Sequence, residues 1–226
     1  SKIVGVAIVI QSAFTTFWIP TMYRWNENNV ALRNYEIVSN KLNSLLTLVF
    51  AVVVLFREQI VMILSPEYRK AAIVVPFLMI YPVVSTLSET TSMGITFSRK
   101  SYFAIVVSSV SAGLNILGNV LLVPKFGVLG ASISTGISYI AYFWSRTLIS
   151  RMLWEKMDIK KHLISIFLML LMASLSVTLN SFYIDLLIFF IILIYNFKDF
   201  LWGLTLIKTI IIKIKNDRIL KKLKKT

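Results

Sequence analysis

The sequence contains no cysteine, a single histidine and only ten acidic residues among its 226 positions. Without cysteine the chain can form neither a disulfide framework nor a thiolate metal site. One histidine and ten acids leave little material for a buried zinc or di-iron centre, and the sequence patterns of serine hydrolases, zinc proteases and P-loop proteins are missing. The sequence therefore predicts neither an enzyme nor a bound metal or organic cofactor.

Charged residues are also scarce. They make up 15% of the chain, against roughly 25% in an average soluble domain, and they cluster between apolar stretches. Apolar residues make up 57%, and the mean hydropathy is +0.78. This composition excludes a soluble globule and predicts an all-α, polytopic transmembrane helix bundle.

A helix crossing a bilayer core about 30 Å thick needs about 20 apolar residues. Applied along the chain, this rule predicts about seven spans, at 3–20, 42–64, 71–97, 102–123, 127–151, 163–179 and 181–197. Arg57 and Glu58 interrupt the second span. We therefore expect its membrane portion to end near Phe56, with Arg57 reaching outward to water and 60–64 lying along the interface.

The direction of the spans follows from the positive charges. If the spans alternate in direction, 19 of the 24 Lys and Arg fall on one side of the membrane and five on the other. The basic side is normally cytoplasmic, so the first residue is expected outside and the C-terminus inside. Anchoring to anionic lipid accounts for the net charge of +14, and no nucleic-acid partner is predicted. The bundle occupies 1–197, and 198–226 form a basic amphipathic tail on the cytoplasmic leaflet.

The stretch 114–139, LNILGNVLLVPKFGVLGASISTGISY, carries several separate signals. Pro124 and Gly127 predict a tight turn between two hairpinned membrane helices. After the turn, Gly130, Ser134 and Ser138 recur every four residues and give one helix face a small-residue stripe for close packing.

Before the turn, Ser111, Asn115 and Asn119 recur at the same spacing and place two carboxamides on one helix face. Carboxamides facing lipid are costly. This face is therefore predicted to look into the bundle or into water.

These residues resemble the C-terminal half of bacterial polysaccharide (O-antigen type) flippases, which belong to the multidrug/oligosaccharidyl-lipid/polysaccharide exporter superfamily. The resemblance covers 3–151. It rests on the order Asn-x-x-x-Asn, an aliphatic run, Pro, a basic residue, an aromatic residue, Gly-x-x-Gly-Ala and Ser-Tyr. Further support comes from Pro20, from Ser-Pro-Glu-Tyr at 65–68 followed by Ala71, and from the basic turn Ser-Arg-Lys at 98–100.

The resemblance implies one lobe of a two-lobed transporter. Such a protein flips an undecaprenyl-pyrophosphate-linked oligosaccharide, an O-antigen or capsule repeat unit, across the bacterial inner membrane by alternating access. The chain is then expected to be a fragment of lipopolysaccharide or capsule biosynthesis machinery. Its partners would be the lipid bilayer, the lipid-linked substrate, and the N-terminal lobe or other polysaccharide assembly proteins. A coupling ion, H⁺ or Na⁺, is left open.

Three other functions remain open at this point. A multidrug or lipid II exporter of the same superfamily would share the fold and differ in its cavity lining. A membrane enzyme such as a glycan polymerase or acyltransferase would need a large external loop with His, Asp or Arg, and the predicted outer loops are short. A non-transporting truncated product is the third.

Four residues are candidates for the substrate cavity. Glu89 lies well inside a predicted span, where an ionisable group is a functional candidate, but it is also placed to pair with Arg99 at the cytoplasmic end. Asn115 and Asn119 match the family pattern and equally suit interhelical packing. Arg146 lies about a turn deeper than Arg151, where desolvation would strengthen its hold on phosphate, or it is a topology signal.

Two further expectations concern His162 and the prolines. His162 follows two lysines at a predicted membrane edge and is expected at the interface. Pro76 and Pro82 are expected to kink the third span, and Pro20 to end or bend the first.

Overall fold

The computed structural model describes residues 2–64, 71–100, 102–202 and 205. Within these ranges the chain is helical, and the predicted all-α membrane bundle is confirmed. The helices are α1 (Lys2–Glu27), α2 (Leu32–Leu55), α3 (Arg57–Leu64), α4 (Val75–Thr91), α5 (Met93–Phe97), α6 (Tyr102–Phe126), α7 (Val128–Leu153), α8 (Lys160–Thr178) and α9 (Phe182–Tyr195).

Four helical stretches of the described chain have the length and apolarity that crossing a bilayer requires. They are Leu32–Leu55, Ala71–Thr91, Tyr102–Phe126 and Lys160–Thr178. The other three predicted spans coincide with α1 and α7, of 26 residues each, and with α9, which has only 14. The segment 198–226 was predicted to be an amphipathic tail, and most of it lies outside the described residues, as does the Ser-Pro-Glu-Tyr stretch.

Two predicted boundaries are wrong. The stretch between the first two spans, expected to be a polar linker, is mostly helix: α1 continues through Pro20 to Glu27, and α2 begins at Leu32. Polar residues beyond the lipid can continue a helix because water satisfies their side chains. The turn after α6 is also narrower than predicted, since Pro124 lies inside the helix and Gly127 alone, with φ of +56°, reverses the chain.

The central helix of the bundle is α4. It packs against α1, α2, α7 and α8, while α9 packs on α2 and α8. The core between these helices is apolar and contains fully buried Phe50, Ile80, Leu87, Phe143 and Met172. This arrangement leaves α6 at the edge of the bundle, where it packs mainly on α7.

The predicted small-residue stripe on α7 is confirmed. Gly130, Ser134 and Ser138 are buried against α6. A Cβ on Gly130 would lie 2.4 Å from the Leu122 carbonyl oxygen, and one on Gly118 would lie 2.4 Å from the Ser134 Oγ. The two backbones can approach this closely only because these side chains are small or absent.

The prolines of the third predicted span behave differently from one another. Pro82 lies inside α4, where the Thr86 Oγ1 donates to the Pro82 carbonyl oxygen at 2.6 Å. Pro76 lies in the first turn of α4, a position where proline is well tolerated because the amide that it lacks is not needed for the helix. The helix is interrupted instead at Ser92, between α4 and α5.

Two polar side chains expected at the membrane surface are buried instead. Arg57 is only 4% exposed and forms an ion pair with Asp185 in the first turn of α9, so the prediction that it reaches out to water is wrong. The Arg57 Nη2 also donates to the Asn180 Oδ1 at 2.9 Å. An acid on the packed face of α9 holds the guanidinium inside the protein, because an unpaired charge there would be far more costly.

His162 is the second. It is fully buried, and its Nε2 lies 2.9 Å from the Ser39 Oγ, which in turn lies 2.8 Å from the Thr90 Oγ1. The structure therefore places His162 inside the bundle, in the first turn of α8. The Ser39 hydroxyl is the polar partner of Nε2, and Thr90 in turn bonds to Ser39.

Candidate functional site

A polar cavity of about 520 Å³ lies between α1, α4, α6 and α7. Its lining combines hydroxyl, carboxamide, carboxylate and tyrosine side chains, and it is open on one side. The lining residues are Gln11, Tyr81, Ser85, Glu89, Ser108, Ser111, Ala112, Asn115, Thr135, Ser138, Tyr139 and Tyr142. Several of these groups bond within the protein, and because the cavity is open they are also within reach of water or a polar ligand.

Glu89 and Arg146 form an ion pair at one end of this cavity. The Arg146 Nη1 donates to the Glu89 Oε1 at 2.7 Å, and the Nη2 to the Oε2 at 3.4 Å. The Nη1 also donates to the Ser88 Oγ at 2.8 Å. Both charged side chains are 19% exposed. The partner of Glu89 is therefore Arg146 and not Arg99, and the pair is reachable from the cavity.

A hydrogen bond from α1 also holds the part of α4 that carries Glu89. The Trp18 Nε1 donates to the Glu89 carbonyl oxygen at 3.1 Å, and Trp18 itself is buried. In the last turn of α4, Trp18 thus bonds to the backbone of Glu89 and Arg146 bonds to its carboxylate. These contacts hold the Glu89 side chain at the cavity wall.

Asn115 and Asn119 lie on α6 and are both half-buried. The Asn115 Nδ2 donates to the Ser138 Oγ at 3.3 Å, and the Asn119 Nδ2 donates to the Asn115 Oδ1 at 3.0 Å. The Asn115 carbonyl oxygen accepts from the Ser134 Oγ at 2.8 Å. Asn115 lines the cavity and joins α6 to α7, so the two roles considered for it coexist, whereas Asn119 acts through Asn115.

Three tyrosines continue the wall away from the ion pair. The ring centroids of Tyr81 and Tyr139 are 4.2 Å apart, and those of Tyr139 and Tyr142 are 6.0 Å apart. The Arg146 Cζ lies 5.7 Å from the centroid of the Tyr142 ring. The guanidinium and the aromatic rings therefore form one continuous series along α7 and onto α4.

A second cavity of about 510 Å³ adjoins the first and shares Gln11 and Tyr81 with it. Its other lining residues belong to α1 and include Ser12, Thr15 and Thr16. Together the two cavities form a groove along one side of the bundle, with polar and apolar side chains in its walls.

The tyrosines and the polar face of α1 were not anticipated from the sequence. A signal for the tyrosines exists, because Tyr139, Tyr142 and Arg146 are spaced by three and four residues and so share a helix face. For α1 the signal is the recurrence of Gln11, Thr15 and Ser12, Thr16 in an otherwise apolar segment. Neither pattern indicates which neighbouring helix completes the site.

The chemistry available in the described part of the chain is that of binding. Among those residues, no group of three or more His, Cys, Asp or Glu side chains is arranged to hold a metal ion. The cavity wall offers one carboxylate, several hydroxyls and an aromatic surface, and the Arg146 guanidinium bonds to that carboxylate. Such a set can bind an anionic, hydroxyl-rich molecule.

The fold and the site define an all-α membrane helix bundle with a polar cavity between its helices. A curated protein from Haloferax volcanii, the probable low-salt glycan biosynthesis flippase Agl15, is 20% identical over 142 residues, which cover 61% of this chain and 30% of that relative. The chain thus matches less than a third of the relative's length. No family model and no solved structure matches the chain. The similarity supports a flippase-like family in general and does not single out the bacterial O-antigen type.

Proposed function

We propose that this chain forms one lobe of a transporter that flips a polyprenyl-pyrophosphate-linked oligosaccharide across a membrane. The observation that carries the proposal is the open polar cavity with the Glu89–Arg146 ion pair at its end. The similarity to a protein named as a glycan biosynthesis flippase supports the same class of function. In this proposal the protein is a transporter and performs no covalent chemistry.

Arg146 is the group that would hold the pyrophosphate. Its planar guanidinium suits two oxygen acceptors at once, and its setting in a membrane bundle strengthens charge interactions. The Glu89 carboxylate now occupies that guanidinium at 2.7 Å. A substrate phosphate must therefore compete with Glu89 for the same donors, so that Arg146 holds the substrate and Glu89 helps to release it.

A coupling ion that binds Glu89 would shift this competition between Glu89 and the substrate phosphate for Arg146. Protonation of Glu89 would remove its charge and leave the guanidinium to the phosphate, whereas deprotonation would favour release. Proton coupling is thus the form of ion coupling that these two residues support. A Na⁺ ion would have to compete with Arg146 for the same carboxylate.

The open side of the groove requires a second wall for substrate to be shielded from lipid. The hydroxyl groups of Ser12, Thr16 and Ser108 are exposed on that side, where without a second wall they would face lipid. We therefore propose that a second lobe, from a longer polypeptide or another polypeptide, faces α1 and α6. We further propose that the chain lies in the bacterial inner membrane, and the basic ends of the helices support a cytoplasmic C-terminus.

The proposal is tested by flux in vesicles. The transporter that combines this chain with its second lobe is reconstituted with a fluorescent polyprenyl-pyrophosphate-linked sugar, and a membrane-impermeant quencher reports the fraction exposed outside. We expect Arg146→Met to reduce flux at least about tenfold, which corresponds to about 1.4 kcal/mol. Glu58→Gln is the control, since Glu58 is exposed and remote from the cavity.

The Glu89→Gln variant distinguishes the role of Arg146 in substrate binding from the role of Glu89 in substrate release. This variant keeps the shape of the side chain but frees the guanidinium, so we expect tighter substrate binding together with slower flux. Unchanged flux would remove Glu89 from the mechanism. Flux no greater than in protein-free vesicles for the unmodified chain, with no binding of the labelled substrate, would overturn the proposed function as a whole.

A further inference from the structure

The tyrosine series on the cavity wall has no role in holding a phosphate. Tyr81, Tyr139 and Tyr142 all line the 520 Å³ cavity and are half-buried, so part of each side chain faces the open space. Tyrosines placed only for packing would bury their rings in the core, as Tyr35 does at 0% exposure. Three partly open rings side by side form an extended surface instead.

The distances make this surface continuous with the cation. The series runs from the Arg146 guanidinium to the Tyr142 ring at 5.7 Å, then to the Tyr139 ring at 6.0 Å and the Tyr81 ring at 4.2 Å. Tyr81 lies where the two cavities meet, beside Gln11. A ligand that follows this wall meets a positive charge first and aromatic faces with hydroxyl groups afterwards.

We propose that Tyr81, Tyr139 and Tyr142 form a sugar-stacking subsite that orients the substrate in the cavity. This inference rests on the proposed function and adds a direction to it: the pyrophosphate lies at Arg146, and the first sugar rings lie against Tyr142 and Tyr139. The C–H face of a pyranose ring packs against an aromatic face, and tyrosine adds a hydroxyl that can bond to the sugar hydroxyls.

The polar residues opposite the tyrosines suit the same ligand. Ser108, Ser111 and Asn115 of α6 and Thr135 of α7 line the cavity with donors and acceptors that bear no charge. A cavity volume of about 520 Å³ falls within the range of about 300–1,000 Å³ typical of sites that enclose a small ligand. The cavity therefore has space for the first sugar units of an oligosaccharide, which enter an uncharged, hydroxyl-rich half of the site.

The test compares two probes of equal charge on the detergent-solubilised full chain. One probe is farnesyl pyrophosphate linked to a single N-acetylhexosamine, and the other is farnesyl pyrophosphate capped with a methyl group. We expect the sugar probe to bind about tenfold more tightly to the unmodified chain. Tyr139→Leu is expected to bring the ratio to about one without changing affinity for the capped probe, whereas Tyr139→Phe retains most of the ratio.

The controls separate the two proposals. Tyr183→Leu removes a tyrosine that is 81% exposed and outside the cavity, and we expect it to leave both affinities unchanged. If Tyr139→Leu fails to fold, Tyr142→Leu makes the same test. Equal binding of both probes by the unmodified chain, or a ratio that survives removal of the ring, overturns the sugar subsite alone. Failure of both probes to bind, or binding that Arg146→Met does not weaken, overturns the proposed function.

Discussion

Two of the ion pairs in the described bundle, Arg57–Asp185 and Glu89–Arg146, differ in burial and in the number of further acceptors that hold the guanidinium. The first pair is 5% and 1% exposed, and its guanidinium has further acceptors at the Val54 carbonyl oxygen and the Asn180 Oδ1. Both side chains of the second pair are 19% exposed, and Glu89 lines the cavity of about 520 Å³. Arg57 and Asp185 also line a cavity, of about 290 Å³, but they are almost fully buried, so the two pairs differ mainly in how exposed their charged groups are.

The pairs also lie at opposite ends of the bundle. Thr90, next to Glu89, bonds to Ser39 near the start of α2, and Arg57 follows Ser39 by 18 residues, which is about 27 Å of helix. Of the two pairs, the one whose charged groups keep some exposure is therefore the better candidate for binding a ligand.

Asp185→Asn is expected to be the most damaging substitution. It leaves the Arg57 guanidinium buried without its counter-charge, and breaking a buried pair in this way typically costs about 3–5 kcal/mol. The measurement is the free energy of unfolding in detergent micelles. Glu58→Gln, an exposed acid beside the same buried pair, is the matched control and should change little. If Asp185→Asn were as stable as the unmodified chain, the structural role of the pair would be wrong.

Asp199 is expected to make a pH-dependent contribution to stability that is smaller than the effect of Asp185→Asn. It follows α9 and accepts hydrogen bonds from Lys161, Lys41 and Ser44. Burial raises the pKa of its carboxyl, but these hydrogen bonds outweigh burial and lower the pKa from 3.8 to about 2. A lowered native pKa stabilises the fold above pH 3.8, and this stabilisation, about 2 kcal/mol, is lost as the pH falls toward 2.

The thermal unfolding midpoint between pH 5 and pH 2 measures this contribution. We expect the unmodified chain to lose more stability across that window than Asp199→Asn, which has no carboxyl to protonate. The two profiles should converge near pH 2. Parallel profiles would show that Asp199 does not link stability to pH.

The Glu89–Arg146 pair should contribute less to stability than either of these. A double-mutant cycle with Glu89→Gln and Arg146→Met is expected to give a coupling free energy of about 1 kcal/mol, because both groups keep access to water in the cavity. Unfolding in micelles supplies the four free energies. A coupling as large as that of the Arg57–Asp185 pair would remove the distinction between the two regions.

Asn119→Leu is expected to have the smallest effect. Its Nδ2 donates only to the Asn115 Oδ1 of the same helix among the described contacts, and even hydrogen bonds between membrane helices average only about 0.6 kcal/mol. Asn115→Leu should cost somewhat more, about 1 kcal/mol, because Asn115 also bonds across to α7. The reverse order would show that Asn119 has a partner of its own.

The sequence was sufficient for the fold class and for the α6–α7 contact, because hydropathy and the small-residue spacing are local properties of single helices. It was also sufficient to select Glu89 and Arg146 as unusual. It did not pair them, since the partner of a charge depends on which helices become neighbours, and Arg99 was closer along the chain. Arg57, His162 and the three tyrosines were misjudged or missed for the same reason.

The exposed outer face of α6 determines which substitutions this helix tolerates. Only Val107 and Ser111 are buried on that helix, whereas Ile116, Leu117 and Val120 are more than half exposed to the surroundings that lipid would fill. Aliphatic residues can replace one another on that outer face, so mutations there should accumulate freely. Gly118 lies between them in the sequence but packs against Ser134 of α7, so a larger residue cannot replace it.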